Sequence, residues 1–192
     1  MLDVPVLHGS LVRLEPLGEQ HVPDLAIAAE QDRSSYAFTL VPRADGIKAY
    51  VAAQLAREGT TPFAQVRIAD GMAVGCTAYF APRSFPSRPG LSAIEVGFTW
   101  LAGPAQGSGI NAEAKRLLLT YAFETLGVDR VDFKTDARNE RSRRALGRFA
   151  HFEGVLRSYS QSWAPGEEGL LRDSAMFSVL AAEWPAIKSG LT

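Results

Sequence analysis

Apolar and polar residues alternate at every second position in several stretches of the chain, and this period predicts β-strands. The alternation is regular in SLVRLEPL, residues 10–17. Around Asp70-Gly71, two such stretches flank a dipeptide that favours a tight hairpin turn. The predicted strands are residues 10–17, two strands within 62–80, and residues 91–101, 130–136, 151–163 and 172–184.

Four other segments place apolar residues three or four positions apart, which is typical of amphipathic helices. The predicted helices are residues 18–32, 44–59, 111–127 and 139–149. The third is the most regular and would end at Gly127 as its C-cap. Its apolar face consists of Ala114, Leu117, Leu118 and Tyr121. Residues 81–90 contain three prolines and a glycine and predict a loop.

These elements follow the order β-αα-βββ-α-β-α-ββ, which indicates the α+β class. The expected architecture is a mixed sheet covered by helices. A chain of 192 residues, 46% of them hydrophobic, is long enough to bury a sizeable core. No repeat or low-complexity segment divides it, so we expect residues 1–192 to form one domain.

Charge and composition exclude several classes of protein. The net charge of −1 offers no general attraction to nucleic acid or to an anionic membrane. No run reaches the roughly 18 apolar residues of a membrane-spanning helix, and the first residues lack the pattern of a secretion signal. We therefore expect a cytoplasmic protein with neither nucleic-acid nor membrane partners.

Cysteine and histidine give no sign of a disulfide or a metal site. Cys76 is the single cysteine, and the apolar run AVGCTAYF around it predicts a buried structural thiol. His8, His21 and His151 do not have the spacing of metal ligands. No metal is expected.

The segment QGSGIN, residues 106–111, stands between a predicted strand and a predicted helix. The first N–H groups of a helix lack partners within it, and glycines let a phosphate approach the backbone closely. A phosphate-bearing ligand is therefore indicated. The P-loop pattern fails, because Ile110-Asn111 occupy the positions of its lysine and its hydroxyl residue.

Two other phosphate-binding patterns remain. The dinucleotide fingerprint G-x-G-x-x-A matches residues 107–112, with Asp132 about 20 residues further on. Against it, residues 102–106 separate the glycines from the strand, and the repeated βαβ units of that fold do not follow. The second pattern is Q/R-x-x-G-x-G/A at a helix start, which the segment matches up to Asn111.

This loop, the strand IEVGFTWL before it and the segments NERS and FEGVLR after it together resemble the GNAT family of N-acetyltransferases. The resemblance is to the subgroup that acetylates the N-termini of ribosomal proteins, and it covers nearly the whole chain. It implies a mixed, mostly antiparallel sheet whose fourth and fifth strands splay apart. It also implies that acetyl-CoA lies in this opening, with its pyrophosphate on the glycine loop and its pantetheine along the strand.

The resemblance also assigns roles to individual residues. The pyrophosphate loop would consist of Gln106, Gly107, Ser108, Gly109, Ile110 and Asn111. Trp100 and Leu101 would pair through their backbone with pantetheine. Asn139 and Ser142 match an N-x-x-S pattern at the start of the next helix, where simple helix capping is the alternative interpretation. Four arginines would either meet the 3′-phosphate of CoA or form a solvated helix face: Arg141, Arg143, Arg144 and Arg148.

Acetyl transfer to an amine requires a base for the amine proton and a proton for the departing thiolate. It also requires a hydrogen-bond donor to the thioester oxygen, and this donor would be a backbone N–H of the strand. Glu95 is the first candidate base, because alternation turns it away from four apolar neighbours, Ile94, Val96, Phe98 and Trp100. A solvated strand carboxylate is the alternative interpretation. Glu153 in FEGVLR is the rival base, since it matches a glutamate used by the ribosomal-protein subgroup.

In many relatives a tyrosine in the helix after NERS protonates the thiolate, and RRALGRFAHF contains none. In the ribosomal-protein subgroup a serine takes that part, and Ser142 matches it. The combined expectation is an acetyl-CoA-dependent N-acetyltransferase that acts on a primary amine, either a protein N-terminus or a small molecule, by direct attack in a ternary complex. A CoA-binding regulatory or interaction domain without turnover is the alternative, and a homodimer is compatible with either.

Overall fold

The computed structural model describes residues 1–87 and 89–191, and within this part the chain forms one sheet of eight strands and five α-helices. The strands are β1 (Leu7–His8), β2 (Val12–Pro16), β3 (Thr61–Arg67), β4 (Ala73–Arg83), β5 (Ala93–Leu101), β6 (Arg130–Asp136), β7 (His151–Gln161) and β8 (Leu171–Leu180). The helices are α1 (Val22–Glu30), α2 (Ile47–Ala56), α3 (Ile110–Thr120), α4 (Glu140–Leu146) and α5 (Trp184–Lys188). In the sheet the strands follow the order β1-β2-β3-β4-β5-β6-β8-β7.

The predicted order of elements and the α+β class are confirmed, with a short β1 added at the start and a short α5 added at the end. Two boundaries differ clearly. β4 continues to Arg83, so the loop predicted at 81–90 begins later, and Arg88 of that loop lies outside the described residues. The last strand ends at Leu180, and α5, whose first turn contains a proline, begins at Trp184.

The two central strands separate along their length. All neighbouring strands are antiparallel except β5 and β6, which run parallel. The β5–β6 pairing ends with Glu95 opposite Asp132. β5 continues to Leu101 and β6 to Asp136 without a further pair between them. The expected splay is thus confirmed, and we call the space between the diverging ends of β5 and β6 the opening.

Helices cover the two faces of the sheet differently. α3 and α4 lie over one core, which includes Leu118, Val131, Phe133 and Leu146. α1 and α2 lie over a second core on the other face, which includes Leu25, Val51, Cys76 and Trp100. Because side chains alternate along a strand, β6 and β8 direct polar groups to the face of α1 and α2. These groups are Asp132, Lys134, Asp136, Ser174 and Ser178.

A β-bulge in β5 reverses the direction of its side chains. The register of β5 against β4 shifts between Gly97 and Trp100, so Phe98 and Thr99 together face one residue, Thr77. Phe98 has a positive φ of 50°, which is a strained conformation for an aromatic residue. The alternation of side chains between the two faces is therefore shifted by one residue after the bulge.

The expectation that Ile94, Val96, Phe98 and Trp100 share one face is wrong for this reason. Ile94 and Val96 lie in the core beneath α3, whereas Trp100 lies in the core beneath α1 and α2. The ring of Phe98 lies 4.9 Å from that of Phe80, on the polar face.

Candidate active site

The glycine loop connects β5 to α3 at the outer end of the opening. Gly107 and Gly109 have φ of 73° and 88°, a left-handed conformation that glycine adopts readily. Gly109 is the N-cap residue, so α3 begins at Ile110. The N–H of Glu113 donates to Gly109 O at 3.0 Å, which leaves the N–H groups of residues 110–112 without partners in the helix. These groups and the positive end of the helix dipole suit an anion.

Two side chains brace this loop from within. Gln106 Nε2 donates to Leu101 O at 2.7 Å and to Ser35 Oγ at 2.8 Å. Ser108 Oγ donates to Ala105 O at 2.7 Å. The side chains of the loop therefore fix its shape, and the donors it offers to a phosphate are backbone N–H groups.

Of the two residues expected to pair with pantetheine, Leu101 directs its backbone to the opening and Trp100 does not. Trp100 and Ala102 direct theirs towards β4, where Ala102 N donates to Val74 O at 2.8 Å. Successive peptide groups of a strand point in opposite directions, so the N–H and C=O of Leu101 face the opening. The C=O already accepts from the Tyr36 hydroxyl at 3.0 Å. The group that remains for a ligand is the Leu101 N–H.

Glu95 lies at the inner end of the opening, in the last residue pair between β5 and β6. It is 8% exposed, so the interpretation as a solvated strand carboxylate is wrong. Its Oε1 lies 3.4 Å from Lys134 Nζ. Burial raises the pKa of the Glu95 carboxyl, Lys134 partly offsets this effect, and Asp132 raises the pKa further. A carboxyl with a raised pKa is better matched to proton transfer near neutral pH.

Glu153, the rival base, is held in an ion pair. Arg130 contacts both of its carboxylate oxygens, and Ser178 Oγ donates to Glu153 Oε1 at 2.7 Å. The hydrogen bonds from Arg130 lower the pKa of Glu153 to about 2. A carboxylate with this pKa is a weak base, so the geometry favours Glu95 over Glu153.

Aromatic rings and cations line the polar face beside Glu95. Lys134 Nζ lies 5.6 Å from the ring centre of Phe80 and 5.3 Å from that of Tyr159. The guanidinium carbon of Arg138 lies 5.2 Å from the ring centre of Phe38, which joins the loop after α1 to the loop after β6. Ring faces attract cations, so these rings hold the Lys134 and Arg138 side chains in place beside Glu95.

Asn139 is the N-cap residue of α4, and its Oδ1 accepts from Ser142 N at 3.0 Å. The capping interpretation is therefore correct for Asn139. Ser142 is the third residue of the helix and is half-buried, and no group in residues 1–87 or 89–191 bonds its hydroxyl. The helix ends at Leu146, earlier than the predicted end at residue 149.

The four arginines of this segment have different surroundings. Arg143 donates to a backbone carbonyl at 3.0 Å, and Arg144 pairs with a carboxylate of its own helix at 3.1 Å. Arg148 is exposed. Hydrogen bonds from the neighbouring serine lower the pKa of Asp32, and the charge of Arg141 lowers it further. Arg141 therefore lies close to the loop after α1, near the outer end of the opening.

Two buried charges of α3 were missed by the sequence analysis. The carboxylate of Glu113 accepts hydrogen bonds from residues 10–12. The ammonium of Lys115 donates to Thr99 Oγ1 at 2.8 Å. Glu113 is four residues before Leu117 and Lys115 three before Leu118, so both charges border the apolar stripe of the helix, a signal that the sequence does contain.

The prediction that Cys76 is a buried thiol is confirmed. No group of three or more metal-binding side chains occurs in the described part of the chain. Within residues 1–87 and 89–191, no helix has the length and apolar character needed to cross a membrane.

A sequence model of the family described as "Acetyltransferase (GNAT) domain" matches residues 12–150. The match covers most of the chain, and the glycine loop and Glu95 lie within it. The chain therefore belongs to the GNAT acetyltransferase family. Its enzymatic class is that of an acetyltransferase.

Three relatives illustrate this membership. The chain is 34% identical over 94 residues to "Putative ribosomal N-acetyltransferase YdaF" of Bacillus subtilis (strain 168), a match that spans 49% of either protein. The crystal structure of a "putative acetyltransferase" from T. thermophilus has 36% identity and a TM-score of 0.82, covering 100% of this chain and 97% of that one. A GCN5-related N-acetyltransferase from Brucella melitensis has 28% identity and a TM-score of 0.84, covering 97% and 83%.

Proposed function

We propose that this chain transfers the acetyl group of acetyl-CoA to a primary amine by direct attack in a ternary complex. One observation carries the proposal. The opening between β5 and β6 has a helix start with unpartnered N–H groups at its outer end and the buried carboxylate of Glu95 at its inner end. A long thioester with an anionic end fits this arrangement, because phosphate and reacting carbon would lie at opposite ends of one channel.

Backbone groups of this chain would hold acetyl-CoA. The N–H groups of residues 107–112 would bind the pyrophosphate, and the Leu101 N–H would pair with pantetheine. Acetyl-CoA supplies the activated acetyl group. The thioester oxygen would accept a hydrogen bond from a backbone N–H of β5 on the side of the opening, which would stabilise the charge that develops there.

Glu95 would accept the proton of the attacking amine. An α-amino group has a pKa near 8 and a lysine side chain a pKa near 10.4, so most of the acceptor is protonated at neutral pH. The raised pKa of Glu95 narrows the difference between base and amine. The rings of Phe80 and Tyr159 would hold the Lys134 ammonium beside the carboxylate, where its charge limits the rise in the pKa of Glu95.

The acceptor that we favour is the free N-terminus of a protein. The support is the likeness to the Bacillus subtilis protein, whose name refers to ribosomal N-acetylation. A small-molecule amine is the second candidate. A regulatory CoA-binding domain would have no use for a buried, proton-accepting carboxylate at the inner end of the opening, so Glu95 favours the enzyme over that alternative.

Release of CoA from acetyl-CoA tests the proposal. The purified chain is incubated with acetyl-CoA and one amine at a time, and the free thiol is detected with a chromogenic disulfide. The amines are a short peptide with a free α-amino group, the same peptide acetylated at that group, free amino acids, spermidine and an aminoglycoside. Thiol release with the free peptide and not with the blocked peptide is the expected result.

Calorimetry with acetyl-CoA accompanies this screen. Binding of acetyl-CoA without thiol release for any amine would favour the regulatory alternative. Absence of binding would contradict the assignment of the opening as the acetyl-CoA site.

A further inference from the structure

Lys115 is a buried lysine whose position the proposed function does not yet use. It lies in the second turn of α3 and is 5% exposed. Its Nζ donates to Thr99 Oγ1 at 2.8 Å and lies 6.0 Å from the ring centre of Phe133. A lysine held this far from water without a carboxylate costs folding free energy, so a role in function would explain its presence.

The contacts of Lys115 place its ammonium in the opening. Thr99 belongs to β5 and Phe133 to β6, and both residues follow the last pair that joins these strands, Glu95 with Asp132. The ammonium therefore lies between the diverging strands, on the side of α3. Glu95 belongs to the opposite face of the sheet. A thioester between the strands would have Lys115 on one side and Glu95 on the other.

The ionisable groups around Lys115 are engaged elsewhere. On α3 itself, Glu113 is bound to residues 10–12 and Arg116 contacts Glu113 at 3.4 Å. On β4, the Tyr79 hydroxyl donates to Leu118 O, and on β6 the charged side chains face away from α3. The hydroxyl chain that Lys115 joins ends at Thr77, 2.9 Å from Thr99 Oγ1. Burial alone lowers the pKa of Lys115 to about 7.

We propose that Lys115 is a catalytic residue that protonates the sulfur of CoA as the thioester bond breaks. The inference rests on the proposed function. The C–S bond of the tetrahedral intermediate breaks with its electron pair on sulfur, and an N–H proton of the Lys115 ammonium passes to that sulfur. The neutral amine regains a proton from solvent before the next turnover. The proton of the attacking amine passes separately to Glu95 and then to solvent.

The acid strength of Lys115 suits this step. A thiol has an ordinary pKa of about 8.5, so transfer from an ammonium with a pKa of about 7 to a thiolate is downhill. Ser142 is the rival donor, and a serine hydroxyl is a far weaker acid than an ammonium. Ser142 can still contact the sulfur, but the geometry assigns the proton to Lys115.

The first test uses CoA itself and needs no acceptor. The protein is saturated with CoA, and the thiol of the bound CoA is titrated through its ultraviolet thiolate absorbance. The bound thiol should have a lower pKa in the parent than in Lys115→Met, because the charged fraction of Lys115 stabilises the thiolate and methionine carries no charge. In Lys48→Met, which removes an exposed lysine of α2, the thiol pKa should equal that of the parent. Equal thiol pKa values in the parent and in Lys115→Met would overturn the inference.

The second test separates proton transfer from charge. Lys115→Arg keeps the positive charge, but a guanidinium does not give up its proton near neutral pH. With the free-amine peptide as acceptor, kcat should fall by about tenfold or more in both Lys115→Met and Lys115→Arg, with the Kd of acetyl-CoA within a few-fold of the parent. Parental kcat in Lys115→Arg would show that charge suffices and would overturn the proton transfer.

Failure of the proposed function gives a different pattern. In that case the parent does not bind acetyl-CoA or releases no thiol with any amine. Only the inference about Lys115 fails when the parent binds CoA and turns over, but Lys115→Met has the same thiol pKa and the same kcat as the parent. The melting temperature of Lys115→Met should equal or exceed that of the parent, since an apolar side chain replaces a buried charge.

Discussion

Glu95 and Asp132 face each other in the last residue pair that joins β5 to β6, and both carboxylates are buried. Arg83 and Arg130 both contact Asp132, whereas Glu95 has Lys134 at 3.4 Å. Burial raises the pKa of Glu95 and the charge of Asp132 raises it further, so Glu95 takes up a proton more readily than an exposed glutamate. The pair therefore combines an ion-paired carboxylate, Asp132, with the one that we propose as the base, Glu95.

This pair predicts the response of the pH profile to loss of Lys134. The charge of Lys134 lowers the pKa of Glu95, so Lys134→Met should raise that pKa further. The base form of Glu95 would then require a higher pH, and the acidic limb of kcat/KM for CoA release should shift upwards. Lys48→Met is the matched control and should leave the limb in place. A shift of the acidic limb to lower pH in Lys134→Met would contradict the assignment.

The glycine loop predicts a loss of binding that is separable from a loss of folding. Gly107 has φ of 73° and open space where a Cβ would lie, and Gly166 in the β7–β8 loop has φ of 80° and the same open space. A valine should cost each position roughly 1–2 kcal/mol of stability. Of the two variants, only Gly107→Val should weaken acetyl-CoA binding, by about tenfold or more, because the valine side chain would meet the pyrophosphate. Equal acetyl-CoA affinities of the two variants in calorimetry would argue against the glycine loop as the pyrophosphate site.

Glu113 predicts a pH-dependent contribution to stability. Burial alone would raise its pKa, but hydrogen bonds from residues 10–12 overcome this and lower the pKa from 4.5 to about 2. Because the folded pKa is depressed, the contribution is fully present above about pH 5 and is lost as the pH falls towards 2. Glu113→Gln should lose about 3 kcal/mol at neutral pH and progressively less below pH 4. Urea unfolding across pH measures this, with Glu58→Gln as an exposed control, and a loss independent of pH would contradict the account.

The cap of α4 predicts different effects on stability for the loss of the Asn139 and Ser142 side chains. Asn139 accepts the Ser142 N–H, so Asn139→Ala should cost about 1 kcal/mol of stability. Ser142→Ala should leave stability within about 0.5 kcal/mol, since its hydroxyl bonds no group of the described chain. Melting temperatures of the two variants decide the matter. Greater destabilisation by Ser142→Ala would mean that the serine, not the asparagine, holds the helix start.

Alternation and helical periodicity were enough to predict the order of elements, because most segments bury one face. They failed at β5, where Phe98 and Thr99 together face Thr77. A bulge of this kind adds one residue without changing the composition of the strand, so a pattern of apolar positions cannot place it. For that reason the predicted directions of the Phe98 and Trp100 side chains were wrong.

Site residues that depend on distant partners were also beyond the sequence. Glu153 was the rival of Glu95 in the sequence, and the ion pair that holds its carboxylate forms with Arg130, 23 residues away, which the sequence pattern does not indicate. Lys115 stood in the apolar stripe of its helix, but its significance depends on the gap between β5 and β6 that receives its ammonium. The position of the glycine loop between β5 and α3, in contrast, was predictable because it depends on consecutive residues.

The central claim is that Glu95 is the base, and Glu95→Gln tests it most directly. The variant removes the base and keeps the shape of the side chain. We expect kcat for CoA release to fall by roughly 10²–10⁴-fold, with acetyl-CoA affinity nearly unchanged. Glu153→Gln, measured beside it, should retain turnover because its carboxylate is held by Arg130. Full activity in Glu95→Gln, with the loss in Glu153→Gln instead, would contradict the account and transfer the role to Glu153.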